Sequence, residues 1–366
     1  MREREQILEL WRDARGNNAD CVLVTVVKTL GSSYRRPGAR LLITESGQRA
    51  GSISGGCLED DVVKKAWWLS EKGPVVRRYD TTPDGEIGPS GEVSGGFGLG
   101  CNGIIYLLIQ RLKTNPLTLD VLENVYATRQ AALLAHVLSP AECAGTYSDS
   151  QMPARLRHHA QSVTGSVVAH VDEEQEVFFE TLNPPVRLLI FGAGDDAVPL
   201  TELARHLGWH VCVFDGRAHY ARSERFPRAQ QVAVRDSRIG LDDLQMDSRT
   251  VAVVMTHSYT QDLNFLKALA KHRLAYVGAL GPRNRSEQLL LETGVADADA
   301  AALHGPAGLD IGADGPEQVA LSIIAEIQAS LNGREGGPLR ERTGSIHSRE
   351  SDGGSVRPFV PGIVCA

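Results

Sequence analysis

Residues 186–217 read VRLLIFGAGDDAVPLTELARHLGWHVCVFDGR. An apolar run comes first, then a glycine turn, a stretch with helical spacing, and a second apolar run ending at Asp215. Gly192, Gly194 and Ala197 fit the spacing G-x-G-x-x-A. The first glycine permits a tight turn, the second lets a phosphate approach the backbone, and the small third residue packs helix on strand. Free amides at a helix start favour an anion. Asp215 stands twenty-three residues after Gly192, where a carboxylate can accept a ribose hydroxyl. Asp195 and Asp196 fill the variable positions of the turn. Their charge complements the helix dipole. Turned inward, the same charge competes with an anionic ligand.

Downstream, HVCVFD, QQVAV, TVAVVMT and AYVGAL are strand candidates, with helical stretches such as TQDLNFLKALAKH between them. Near-continuous apolar strands alternating with helices predict a parallel sheet covered on both faces. Pro316 suits a first helical turn, and Ala320, Ile323, Ile324, Ile327 and Leu331 then share one face. Upstream, Asn183-Pro184-Pro185 marks a boundary, since consecutive prolines block helix and sheet pairing alike. The expected organisation is an N-terminal α/β domain over 1–183, a C-terminal Rossmann-like doubly wound domain over 186–332, and a polar, disordered tail over 333–366. His257 and Asp262 fall near the end of the TVAVVMT strand, where such folds place ligands.

In the N-terminal half, an amphipathic helix with Ile7, Leu10, Trp11 and Ala14 on one face precedes the β-branched run CVLVTVV. Three segments there have the composition of ligand loops. GSSYRRPG offers the hydroxyls of Ser32 and Ser33 and the guanidinium groups of Arg35 and Arg36, a set suited to phosphate or carboxylate. A solvated surface loop accounts for it equally well. GSISGGCLEDD places Gly55 and Gly56 before Cys57 at a predicted helix start. The amides there favour a thiolate, a nucleophile or soft metal ligand, whereas Glu59, Asp60 and Asp61 oppose it. SGGFGLGCNG places Cys101 after a glycine run and before a strand. A buried, inert cysteine is the alternative for Cys57, and if the two loops converge Cys57 and Cys101 face one pocket.

Composition narrows the function classes. The chain has 366 residues, 42% hydrophobic and 23% charged, as in ordinary soluble domains. A net charge of -7 argues against a nucleic-acid partner, and no run reaches the ~20 apolar residues of a membrane span. The charged start MREREQILELW lacks a signal core, so a cytoplasmic location is expected. The six cysteines form no C-x-x-C pair, which disfavours a zinc ribbon or a thioredoxin-like site. The adjacent Trp67 and Trp68 point to different sides of a helix and permit a homodimer surface.

Taken together, GSSYRRPGARLL, GQRAGSISGGCLEDDVV and GLGCNG in the first half resemble the XdhC/CoxI family. So do LLIFGAGDDAVPL, VFDGR, MTHSYTQDLNFLKALA, AYVGALGPRNRSEQLL and GPAGLDIGADGPEQVALSIIAEI in the second. The resemblance implies an accessory factor for xanthine dehydrogenase-type molybdenum hydroxylases. Such a factor binds molybdenum cofactor of molybdopterin type, supports its sulfuration with a cysteine desulfurase, and delivers it to the apoenzyme. It is a cofactor chaperone rather than a stand-alone enzyme. By the same resemblance, Cys57 is the cysteine tied to cofactor and metal, Cys101 is the second family cysteine, and Arg36 belongs to the loop before the second strand. Gly192, Gly194 and Asp215 match the nucleotide-fold fingerprint. The chain departs from the family pattern at Asp195, at Asn102 and at Pro282. The competing reading is an NAD(P)-dependent oxidoreductase using the C-terminal domain, with His257 and Asp262 as its proton-transfer pair.

Overall fold

The computed structural model describes residues 2–31, 33–80, 103–140, 143–163, 165–294 and 303–343, and the side chain of Cys57 is not among what it describes. Ser32, Cys101 and residues 344–366 of the expected tail therefore lie outside the described residues. The chain forms two compact units that divide between Pro184 and Pro185.

The N-terminal unit begins with α1 (Arg2–Gly16), which buries Ile7, Leu8, Trp11 and Ala14. Leu8 takes the buried position expected of Leu10, which is only partly covered. A five-stranded sheet follows, built from β1 (Cys21–Gly31), β2 (Arg40–Thr44), β3 (Arg49–Gly51), β4 (Val75–Asp80) and β5 (Gly103–Arg111). Its order is β3-β2-β1-β5-β4, antiparallel throughout. β1 is central and reads as an unbroken apolar run because both of its faces are covered. Val22, Val24 and Val26 pack under α2 (Cys57–Leu69) through Leu58, Val62 and Ala66. Leu23 instead joins α1 and α3 (Leu117–Thr128). Trp67 packs on the α2 cluster, whereas Trp68 is largely exposed.

A second antiparallel sheet has the order β7-β6-β9-β8, from β6 (Ala132–Ser139), β7 (Gly145–Ser148), β8 (Val167–His170) and β9 (Glu176–Leu182). Helix α4 (Ala154–Ala160) covers it through Leu156 and Ala160. The α/β character of this half is thus a mixture of helices with antiparallel sheets, not βαβ units. The two sheets meet at Val27, Leu108, Leu138 and Phe178. They also meet at a polar cluster. Arg40 pairs with Glu180, both almost fully buried. Glu180 also contacts His136 Nε2 at 3.0 Å, and His136 Nδ1 lies 2.9 Å from Thr146 Oγ1. Burial pushes the Glu180 carboxyl up, but the charge of Arg40 and the bond to His136 outweigh it and hold the pKa at about 2. Burial lowers the pKa of His136, so a neutral ring is favoured.

The C-terminal unit is a six-stranded parallel sheet of order β12-β11-β10-β13-β14-β15. Its strands are β10 (Arg187–Phe191), β11 (His210–Asp215), β12 (Gln231–Val234), β13 (Thr250–Val254), β14 (Tyr276–Ala279) and β15 (Leu303–His304). Both faces are covered, as the apolar runs require. Leu188 and Ile190 face α5 (Ala197–His206) and α8 (Pro316–Ser330). Leu189 and Phe191 face α6 (Tyr259–Leu269) and α7 (Arg283–Thr293). The order reverses between β10 and β13, and at such a switch point ligands bind in folds of this kind. Among the described residues, no helix is long and apolar enough to cross a membrane.

Candidate functional site

In the N-terminal unit, two of the three sequence-predicted ligand loops are held together. Glu3, in the first turn of α1, accepts the backbone amide of Ser52 at 2.6 Å through Oε1. Its Oε2 pairs with Arg35. One carboxylate therefore ties the 33–38 loop to the 52–56 loop.

Each loop has its own anchor as well. Below the first, Arg40 Nη1 donates to Gly38 O at 2.9 Å. A Cβ on Gly38 would stand 2.9 Å from Glu180 Oε1 with φ at +91°, so only glycine fits between the turn and the buried pair. Arg36 is exposed and forms no ion pair with any described residue.

The second loop is organised by Glu59, the third residue of α2. Its Oε1 accepts Ser52 Oγ at 3.0 Å, Ile53 N at 3.1 Å and Ser54 N at 2.7 Å. Its Oε2 accepts Gly56 N at 3.0 Å and the hydroxyl of Ser54. Burial raises the Glu59 pKa, but these hydrogen bonds prevail and hold it below the ordinary carboxylate value. Gly56 caps the helix with φ +120°, and Gly55 and Gly56 are exposed directly before Cys57, the first residue of α2. The amide of Gly56 is taken by Glu59, so the turn presents exposed Gly55 and a helix start to solvent, with the exposed guanidinium of Arg36 on the tethered loop. Those are elements of an oxyanion or phosphate site.

Among the described residues, no group of three or more His, Cys, Asp or Glu is placed to hold a metal ion. Cys21 is buried, and burial together with Asp20 pushes its thiol up to about 11, so it is a packing residue.

In the C-terminal unit the fingerprint turn is present. Gly192 has φ +119°, and a Cβ there would stand 2.3 Å from Met255 O. Asp215 is buried and already engaged. It accepts Ala193 N at 2.8 Å, Arg217 N at 2.8 Å, Arg217 Nε at 2.9 Å and Arg217 Nη2 at 2.8 Å. In this structure it pins the turn. Asp195 projects outward, 2.7 Å from Arg225 Nη2. Asp196 turns inward, and its Oδ2 is 3.0 Å from His257 Nε2.

His257 and Asp262, expected as a pair, are not paired with each other. Asp262 is 1% exposed and accepts Thr256 N, Thr256 Oγ1 and Arg285 Nη2. It anchors the loop after β13. Sequence reading missed Glu3 and Glu59 as organisers and missed the Asp196–His257 contact. The capping pattern Gly56-x-x-Glu59 was the available signal for Glu59. The other two contacts join residues distant in sequence and leave no local pattern.

Comparison with known proteins agrees with this architecture. The XdhC Rossmann domain model matches residues 188–327, and the XdhC and CoxI family model matches residues 14–80. A Bacillus subtilis (strain 168) protein, named as a probable subunit of xanthine dehydrogenase, is 33% identical over 318 residues, 84% of this chain and 92% of that relative. The Escherichia coli (strain K12) molybdenum cofactor insertion chaperone PaoD is 26% identical over 329 residues, 89% of this chain and 88% of its own length. A crystal structure at 2.80 Å of a Bacillus halodurans protein described as a xanthine dehydrogenase matches with a TM-score of 0.73 and 28% identity. That match covers 91% of this chain and 98% of the other. With both regions matched in order and the Bacillus subtilis relative aligned over nearly its whole length, the chain belongs to the XdhC and CoxI family.

Proposed function

We propose that this chain is an accessory factor that binds molybdenum cofactor and hands it to a xanthine dehydrogenase-type molybdenum hydroxylase. Two relatives named for xanthine dehydrogenase and for molybdenum cofactor insertion support that reading. The observation that carries it is the tie through Glu3, which joins Arg35 to Ser52, the start of the segment that runs through Gly55 and Gly56 to Cys57. The cofactor is cargo here, not a resident group.

The residues suit its chemistry. A terminal phosphate on the pterin side chain matches Arg36, Ser32 and the amide of Gly55, with Gly56 leaving room for its approach. The molybdenum–sulfur end matches a soft thiolate, Cys57, with Cys101 as the second thiol. Glu59 keeps the turn in shape and touches no cargo in this scheme. Gly192, Gly194 and Asp215 serve the fold of the C-terminal unit. Sulfuration with a cysteine desulfurase before release completes the role.

The test is a handover assay. Purified chain is loaded with molybdopterin-type cofactor, freed of excess, and mixed with an apo-hydroxylase and a desulfurase. Hydroxylase activity should appear faster and to a higher level than with free cofactor. If the chain retains no cofactor after gel filtration, and hydroxylase activation is the same without it, the reading is wrong.

A further inference from the structure

The dinucleotide fingerprint of the C-terminal unit raises a separate question: which ligands does its crevice admit? In a doubly wound sheet of this order, a dinucleotide lies across the carboxyl ends of the strands at the switch point, with its pyrophosphate over the first glycine turn. In this chain the switch point lies between β10 and β13. The loops that leave those two strands approach closely, since Gly192 abuts the carbonyl of Met255.

A side-chain bridge spans the same gap. Asp196 Oδ2, from the β10 side, contacts His257 Nε2, from the β13 side, at 3.0 Å. The other oxygen of Asp196 has no hydrogen-bond partner and is shielded from solvent. It lies 2.7 Å from the point where a side chain on Gly194 would begin. The carboxylate thus occupies the space that the second fingerprint glycine leaves for a phosphate. His257 is one of few non-glycine residues with positive φ, at +61°, a conformation that the surroundings must enforce. Arg225, which reaches the turn from residues 223–225, is already committed to Asp195, Tyr220 O and Ala193 O. Arg217 is likewise committed to Asp215. Neither is free to neutralise an incoming diphosphate.

We infer that Asp196, held across the crevice by His257, excludes dinucleotide diphosphates such as NAD(P) from the Rossmann unit. The exclusion is electrostatic first and steric second, since a carboxylate and a phosphate cannot share one cradle without a bridging cation.

Titration of NADH and NADPH fluorescence against the full chain tests this. Wild type should show no saturation up to about 1 mM, the range of negligible affinity. Asp196→Asn, nearly isosteric, and Asp196→Ala should each bind at least tenfold more tightly than wild type, with melting temperatures showing both folded. His257→Ala keeps the carboxylate but releases it from the crevice, and should gain less than Asp196→Asn. Saturation of wild type at micromolar NADH or NADPH overturns the inference. So does the absence of any gain in Asp196→Asn, or a gain in His257→Ala equal to that of Asp196→Ala.

Discussion

Glu3 accepts the backbone amide of Ser52 at 2.6 Å across 49 positions of sequence. The same carboxylate holds Arg35, so the first turn of the first helix ties the arginine loop to the segment that leads into Cys57. A residue with no ligand chemistry of its own thereby sets the geometry of the proposed cargo site. Removing it should loosen the site without unfolding the unit. Glu3→Ala is expected to weaken cofactor retention roughly tenfold, the equivalent of one charge-assisted hydrogen bond. Calorimetric titration measures it, and equilibrium unfolding checks that the fold survives.

Glu59 is more deeply embedded. Five donors converge on it, three of them backbone amides. Glu59→Ala leaves the amides of buried Ile53 and Ser54 without a partner and should cost about 3 kcal/mol. Glu59→Gln should not rescue it, because the amide nitrogen would face donors. Urea unfolding of both variants reads this directly, as a lower midpoint at unchanged slope.

Acid should destabilise the N-terminal unit. Glu180 is depressed to about 2 in the folded state from an ordinary 4.5. Its contribution is therefore complete above about 4.5 and is lost as pH falls toward 2. His136 acts in the same direction. Its folded pKa lies below the ordinary 6.5, so the unfolded chain takes up the proton first as pH falls below that value. Stability should fall from about pH 6.5 downward, steepening below 4.5. Glu180→Ala, which leaves Arg40 buried without its partner, should cost about 3–5 kcal/mol at neutral pH. It should also flatten the acid limb. Melting temperature against pH for wild type and variant checks both statements.

Gly192→Ala should destabilise the C-terminal unit by at least about 2 kcal/mol, through positive φ and the clash with Met255 O. Gly47→Ala is the control for backbone strain alone. Its φ is +82°, and nothing lies within 4 Å of the added carbon. A larger loss at Gly192 in thermal melts isolates the close approach between the two loops.

Legibility differed between the two halves for a physical reason. In VRLLIF, both alternating sets of side chains are apolar because both sheet faces are covered, so the parallel sheet was plain from the run itself. The glycine turn, Asp215 at the strand end and Pro316 at a helix start were equally local signals. The N-terminal half is made of antiparallel strands whose partners are remote, such as β1 with β5, and no local pattern specifies them. Leu8 rather than Leu10 is buried because the helix packs under two elements at once. At the site, glycines and arginines could be read as ligand-loop composition. Of their organisers, Glu59 left only the capping pattern with Gly56, and Glu3 looks like an ordinary helix N-terminal acid until the loops fold onto it.

Arg36 is the guanidinium of the first loop that no described residue engages. Arg36→Ala should leave stability within about 0.5 kcal/mol of wild type, as for other exposed substitutions. It should weaken binding of the phosphate-bearing cofactor roughly tenfold. A cofactor fragment lacking the phosphate should bind the variant and wild type alike, which separates charge recognition from a general loosening of the loop.

The decisive measurement is a titration of molybdopterin-type cofactor into wild type and Cys57→Ser under reducing conditions, with stability recorded alongside. A thiol at the start of the second helix, framed by two tethered loops, should make wild type bind at least tenfold more tightly than the serine variant while the two unfold alike. Equal affinities in two equally stable proteins would place the cargo elsewhere.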